Sequence, residues 1–105
     1  MNKTGVHIVM TTCPPDRAED LAQILVQEGL AACVSILAPA RSVYYWQGHL
    51  EHAEECILWI KGPVDGYERL QQRLLELHPY ELPEILAVPV TAGLPAYLAW
   101  LSLQR

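Results

Sequence analysis

His78-Pro79-Tyr80, followed at once by Glu81 and shortly by Glu84, is the stretch of this chain best equipped for chemistry. A histidine beside a proline turn and two carboxylates has the make-up of a metal ligand or a proton carrier, because imidazole titrates near neutral pH. The same histidine at a helix end would serve equally well to offset the helix dipole. Glu55 and Lys61 bracket a short apolar run, and their even separation points both to the sheet face that carries Ile57 and Trp59. With Glu84 at the mouth of a later strand, they either are solvated strand ends or meet His78, Tyr80 and Trp46 in a cleft that shifts their pKa values. If Lys61, His78 and Glu84 converge, they have the types required of acid, base and orienting groups in an enzyme.

Soft-metal chemistry rests on three cysteines, Cys13, Cys33 and Cys56, an odd number without C-x-x-C spacing. Reduced thiols in a cytoplasmic protein are the simplest reading. Cys33 and Cys56 sit in apolar runs and read as small buried hydrophobes. Cys13 falls between a strand and the start of a helix, where a thiolate is favoured and a soft metal would bind. His49, Glu51, His52 and Glu54 would point in pairs to the two faces of a strand, suiting Cu(II) or Zn(II), or would simply form an exposed hairpin arm. The chain has no phosphate-cradling glycine loop, no G-x-S-x-G and no zinc-ligand spacing.

These groups must be held by a small fold. At 105 residues the chain has the size of one domain, taken as residues 1–105. Only 18% of residues are charged, below the usual ~25%, so there is less polar surface than a small monomer needs. A net charge of −5 with scattered Lys and Arg excludes a nucleic-acid or anionic-membrane partner. The first residues, MNKTGVHIVM, do not form a secretory signal, and no apolar run approaches the ~20 residues of a membrane span.

The chain is organised around a hairpin between Leu30 and Lys61, its arms running from Ala32 to Gln47 and from Glu55 to Lys61 with a turn near Gly48. Pro39 marks a bulge or a kink in the first arm. Before the hairpin, Val6 to Thr12 reads as a strand. Pro14-Pro15, Asp16 and Glu19 then open a helix whose apolar face is Ala18, Leu21, Ala22 and Leu25, ended by Gly29 in a left-handed cap. After the hairpin, Asp65 and Glu68 resemble a capping box for a helix facing inward through Tyr67, Leu70, Leu74 and Leu77. Ile85 to Val90 reads as a last core strand, and Gly93 and Pro95 introduce a short terminal helix with Tyr97, Leu98, Trp100 and Leu101. The order β-α-β-β-α-β predicts an α+β, ferredoxin-like sandwich with a long hairpin and a short C-terminal helix. Its strands are apolar on both faces, and the hairpin tip carries Tyr44-Tyr45-Trp46, so a symmetric oligomer is expected.

Leu30-Ala31-Ala32-Cys33-Val34-Ser35-Ile36, Ser42 to Gly48, Glu55 with Lys61, His78-Pro79-Tyr80 with Pro83-Glu84-Ile85, and the terminal Tyr97-Leu98-x-Trp100-Leu101 together resemble the CutA family of divalent-cation tolerance proteins. The resemblance runs from Val6 to Leu101. It implies a ferredoxin-like subunit in a homotrimer, a role in copper and divalent-cation tolerance, and binding of copper or a related ion that folding does not require. It implies no catalysed reaction. It places Trp46, Glu55, Lys61, His78, Tyr80, Glu84 and Trp100 in or near a cleft between subunits. In one respect the chain departs from the pattern: Met10 stands where some members carry a cysteine, and Cys13 follows three residues later. Cys13, Met10 and His78 are therefore the metal candidates. Two other readings stay open, a small-molecule sensor resembling the trimeric PII signalling proteins and a stable scaffold without a metal role.

Overall fold

The computed structural model describes residues 4–104; residues 1–3 and 105, the two ends of the expected domain, lie outside them. Strand β1 spans Val6–Cys13, β2 Cys33–Trp46, β3 His49–Pro63 and β4 Leu86–Pro89; helix α1 spans Ala18–Gln27, α2 Tyr67–Leu77 and α3 Pro95–Leu103. The four strands form one antiparallel sheet in the order β2-β3-β1-β4, as a β-α-β-β-α-β chain requires.

Alternation along the strands decides which face holds the core. Val9 and Cys13 of β1 and Cys56, Leu58 and Ile60 of β3 point to one face, where Ala18, Leu21 and Leu25 of α1 and Leu70 and Leu74 of α2 cover them. Tyr67 and Leu77 pack at the edge of this cluster, so both helical faces read from the sequence are the buried ones. Gly29, at φ +73°, ends α1 in a Schellman motif: Leu30 N–H donates to Leu25 O and Gly29 N–H to Val26 O. The opposite face of the sheet carries Ile8, Met10 and Thr12 of β1 and Glu55, Ile57, Trp59 and Lys61 of β3. Helix α3 packs on β1 and β3 through its buried Leu101, which is outside the main core cluster.

Three sequence expectations are corrected. The second hairpin arm starts at His49 rather than Glu55: its polar first half pairs residue by residue with Arg41 to Trp46, because backbone pairing tolerates exposed polar side chains on both faces. The capping box does not form; a single tight turn, Val64–Gly66, leads into α2 with Gly66 at the cap and no side-chain capping bond. The last strand is shorter than Ile85 to Val90 and exposed at every position, since it pairs only with β1 at the sheet edge.

The hairpin closes through Gln47 and Gly48, both at positive φ (52° and 81°), a two-residue turn whose twist matches that of the strands. Its outer half stands clear of the body, with Tyr45 75% exposed. It stretches the molecule to 45 × 26 × 24 Å, with a radius of gyration of 14.4 Å against about 13 Å for a compact chain of this size. Among the described residues no helix is long and apolar enough to cross a membrane.

Candidate functional site

The hairpin builds the site through a bulge. Between the Leu37–Ile57 and Ala40–Glu55 pairs, β2 inserts Ala38 and Pro39 opposite the single residue Cys56. Side chains alternate, so one extra residue reverses which of them share a face. Ser42, Tyr44 and Trp46 thereby come to the face of Glu55, and all four line one cleft.

Glu55 is only 4% exposed, yet it keeps a carboxyl group at the base of this cleft. Ser42 Oγ donates to its Oε1 at 2.5 Å and Tyr80 Oη to its Oε2 at 2.6 Å. Burial, then the bond to Glu55, holds the Tyr80 hydroxyl well above the usual tyrosine range, so it stays protonated and donates. Among the described residues the ion pairs are those of Arg73 with Glu28 and Glu76, and none reaches Glu55. Its charge is met by neutral hydroxyls alone.

His78 fixes the segment that delivers Tyr80. Its Nε2 lies 2.7 Å from Thr12 O and its Nδ1 accepts from Tyr80 N–H at 3.2 Å, which assigns a neutral ring protonated on Nε2. Burial lowers its pKa in the same sense. Neither sequence reading of His78 describes this. Both ring nitrogens are engaged, and the Leu77 carbonyl at the helix end accepts instead from Arg17 Nη2 at 3.3 Å. The imidazole is a bracket tying the end of α2 to β1.

The cleft has a volume of about 790 Å³ between the hairpin, from Ser42 out to Trp46, and the Pro79–Glu84 segment. Of the expected cleft residues it brings together Trp46, Glu55, Tyr80 and Glu84, with His78 behind Tyr80. Lys61 and Trp100 do not line it. Six positions along β3 separate Lys61 from Glu55, roughly 20 Å at 3.3 Å per residue. Lys61 Nζ donates to Ser35 Oγ at 3.2 Å, and Trp100 stacks on Tyr97 with ring centroids 5.7 Å apart. Within one chain the trio Lys61, His78 and Glu84 is not an assembled acid–base site. Ser42 was not singled out in the sequence. Its signal was Pro39: a bulge there moves every following residue of the arm to the other face.

The metal candidates also separate. Met10 and Cys13 are an odd number apart on one strand, so they point to opposite faces. Met10 is half-buried between Trp59 and Leu86, while Cys13 is fully buried in the core beside Cys56. Burial, then the neighbouring Cys56 and Glu55, pushes the Cys13 thiol up to about 11, the reverse of the expected thiolate. The reason is orientation: Cys13 turns into the core, and a turn at Pro15–Arg17 intervenes before α1 begins. His49, His52 and Glu54 are exposed along the outer hairpin. Among the described residues no group of three or more His, Cys, Asp and Glu is placed to hold a metal ion.

An antiparallel α+β sandwich with a projecting hairpin and an acidic cleft at its base is a recognisable class of protein. The family model described as CutA1 divalent ion tolerance protein matches residues 7–104, and the chain belongs to that family. It is 42% identical over 96 residues to a divalent-cation tolerance protein CutA of Pectobacterium atrosepticum, covering 90% of this chain and 87% of the relative. CutA of Xylella fastidiosa superposes with a TM-score of 0.89 at 46% identity, covering 92% of this chain and 94% of that one. A PII-like protein CutA of Nostoc sp. PCC 7120, solved in apo form, superposes at 0.86 with 40% identity, covering 91% and 93%.

Proposed function

We propose that the protein is a homotrimeric, cytoplasmic cation-binding protein that contributes to divalent-cation tolerance, copper included, and works by binding rather than by catalysis. One observation carries the binding reading: a buried carboxylate, Glu55, held by neutral hydroxyls and without a positive partner among the described residues, at the base of an open cleft. A buried charge without a counter-charge is unfavourable, and a bound cation relieves it. The trimer is supported by the exposed aromatic hairpin tip and the exposed apolar strand β4, which a second copy would cover. Three unpaired thiols suit a reducing compartment. Copper ligands, on this reading, come from more than one subunit, since the thiol, thioether and imidazole candidates of one chain point apart.

Calorimetric titration of the wild type and of Glu55→Gln with Cu²⁺ tests the cation reading. Saturable uptake in fixed ratio to chains, weakened in the variant, is expected; no saturable uptake of any cation contradicts it.

The size of the cleft and the likeness to a PII-like protein favour a second reading, a sensor whose cleft admits a small molecule. Among the described residues of one chain no Lys, Arg or His lines the cleft, so a phosphate-bearing ligand would have to draw positive charge from another subunit.

A further inference from the structure

On the helix-covered face of the sheet, behind Thr12 and Glu55, two thiols meet. Cys13 of β1 and Cys56 of β3 are direct partners in the antiparallel register, and both turn into the core beneath α1 and α2. Directly opposed residues of such a pair have Cα atoms about 4.5 or 5.5 Å apart, and a disulfide spans roughly 4.4–6.8 Å. Both cysteines are free. Cys33 is no rival partner: it pairs with Lys61, five positions along β3 from Cys56, roughly 16 Å at 3.3 Å per residue. The chain's own helices cover this face, so a second copy on the hairpin or on β4 leaves the pair as it is.

The backbone around the pair can adjust. Cys13 is the last residue of β1 and leads into Pro14-Pro15, while Cys56 lies opposite the Ala38–Pro39 bulge, where the ladder with β2 is interrupted. The surroundings decide which modification fits. Leu21, Leu58 and Leu74 are fully buried in the same cluster. An alkyl or glutathione adduct adds volume that a close-packed core cannot take. A Cu(I) ion held by two thiolates puts a net negative charge there. A disulfide adds neither an atom nor a charge.

We propose that Cys13 and Cys56 form a reversible redox pair that closes to a cross-strand disulfide when hydrogen peroxide reaches the core. The inference is independent of the cation reading above. The peroxide is small and uncharged, and it meets Cys56 first, the sulfur with slight exposure (5% against 0%). The Cys56 sulfur takes one oxygen as the O–O bond breaks, giving a sulfenic acid and one water. The Cys13 sulfur then displaces the hydroxyl: the S–O bond breaks, the S–S bond forms, and the Cys13 proton leaves with the hydroxyl as a second water. Two electrons pass from the thiols to the peroxide. A pair this enclosed reacts through local opening at the strand end, so closure is slow. The new bond locks β1 to β3 beside Thr12, whose carbonyl accepts from His78, and beside Glu55, which accepts from Tyr80.

The test treats the reduced full-length protein with hydrogen peroxide, removes the excess with catalase, alkylates in urea and maps peptides without reduction. Wild type is run beside Cys33→Ser, which removes the half-exposed thiol. Both should yield a Cys13–Cys56 linked peptide within one chain, two hydrogens lighter than the reduced pair and lost on adding dithiothreitol. The oxidised form should unfold at a higher urea midpoint than the reduced form, because the link closes a loop of roughly 40 residues in the unfolded chain. Cys56→Val, a swap of similar volume, should abolish both the link and the shift. The proposal is overturned if Cys13 and Cys56 are still alkylated after peroxide, or are oxidised singly to sulfinic acids. Linkage to Cys33 or between chains overturns it as well, and so does a link that lowers the midpoint.

Discussion

Tyr80 and Glu55 come from segments 25 positions apart, and the Tyr80 hydroxyl donates to the Glu55 carboxylate across 2.6 Å at the base of the cleft. The bond joins the hairpin to the loop after α2. His78 holds that loop against β1, and the bulge at Pro39 brings Ser42 to the other carboxylate oxygen. Four elements of chain are thus tied around one buried negative charge.

Tyr80→Phe removes one of the two donors without leaving a large void. The buried carboxylate then lacks a partner, and such a loss destabilises by about 1–3 kcal/mol. Urea unfolding at one fixed protein concentration should show a lower midpoint, by that free energy divided by the slope, with the slope itself unchanged. A midpoint equal to that of the wild type would mean that water or a cation already serves Glu55.

Much of this was legible in the sequence. The period of Leu70, Leu74 and Leu77 stated its helix directly and the position of Gly29 the end of α1, because burial and backbone conformation act locally there. The polar start of β3 was half legible: His49 to Glu54 could be read as an exposed hairpin arm, yet the strand itself was bounded at Glu55, since they owe their pairing to β2 and not to their own propensities. Cys13 was misjudged for a related reason: its neighbours in sequence indicate a helix start, but the pleat turns it into the core. The Ser42–Glu55 contact demanded counting faces across a bulge, a consequence of register that no single residue announces.

Stability should fall on acidification below about pH 6.5. Burial lowers the pKa of both His78 and His7 from the ordinary 6.5, so the folded state holds them neutral while the unfolded chain takes up protons. Their contribution is complete above the unfolded pKa and is lost as pH falls through the folded values. Urea midpoints between pH 8 and pH 5 should decline, and His78→Gln should flatten the slope. An equal slope in the variant would show that His78 titrates normally in the fold.

Cys13 should resist alkylation. Its thiol is buried and raised to about 11, whereas Cys33 is half-exposed at the start of β2. Iodoacetamide at pH 8, read by peptide mass spectrometry, should modify Cys33 well before Cys13, which reacts only after urea is added. Early modification of Cys13 would contradict its place in the core.

Assembly should depend on the hairpin tip. Trp46 is a large aromatic only partly covered within one chain, the kind of residue that anchors interfaces. Trp46→Ala is expected to weaken the trimer at micromolar concentration more than it unfolds the subunit, read by sedimentation velocity beside circular dichroism. An unchanged sedimentation coefficient would place Trp46 outside the interface.

Native mass spectrometry of the wild type and Glu55→Gln with limiting Cu²⁺ is the most direct measurement. The expected species is a complex of three chains that takes up a fixed, saturable number of cations in the wild type and fewer in the variant. Monomers throughout, or a ragged series of adducts identical in the two proteins, would contradict a trimer that holds cations at Glu55.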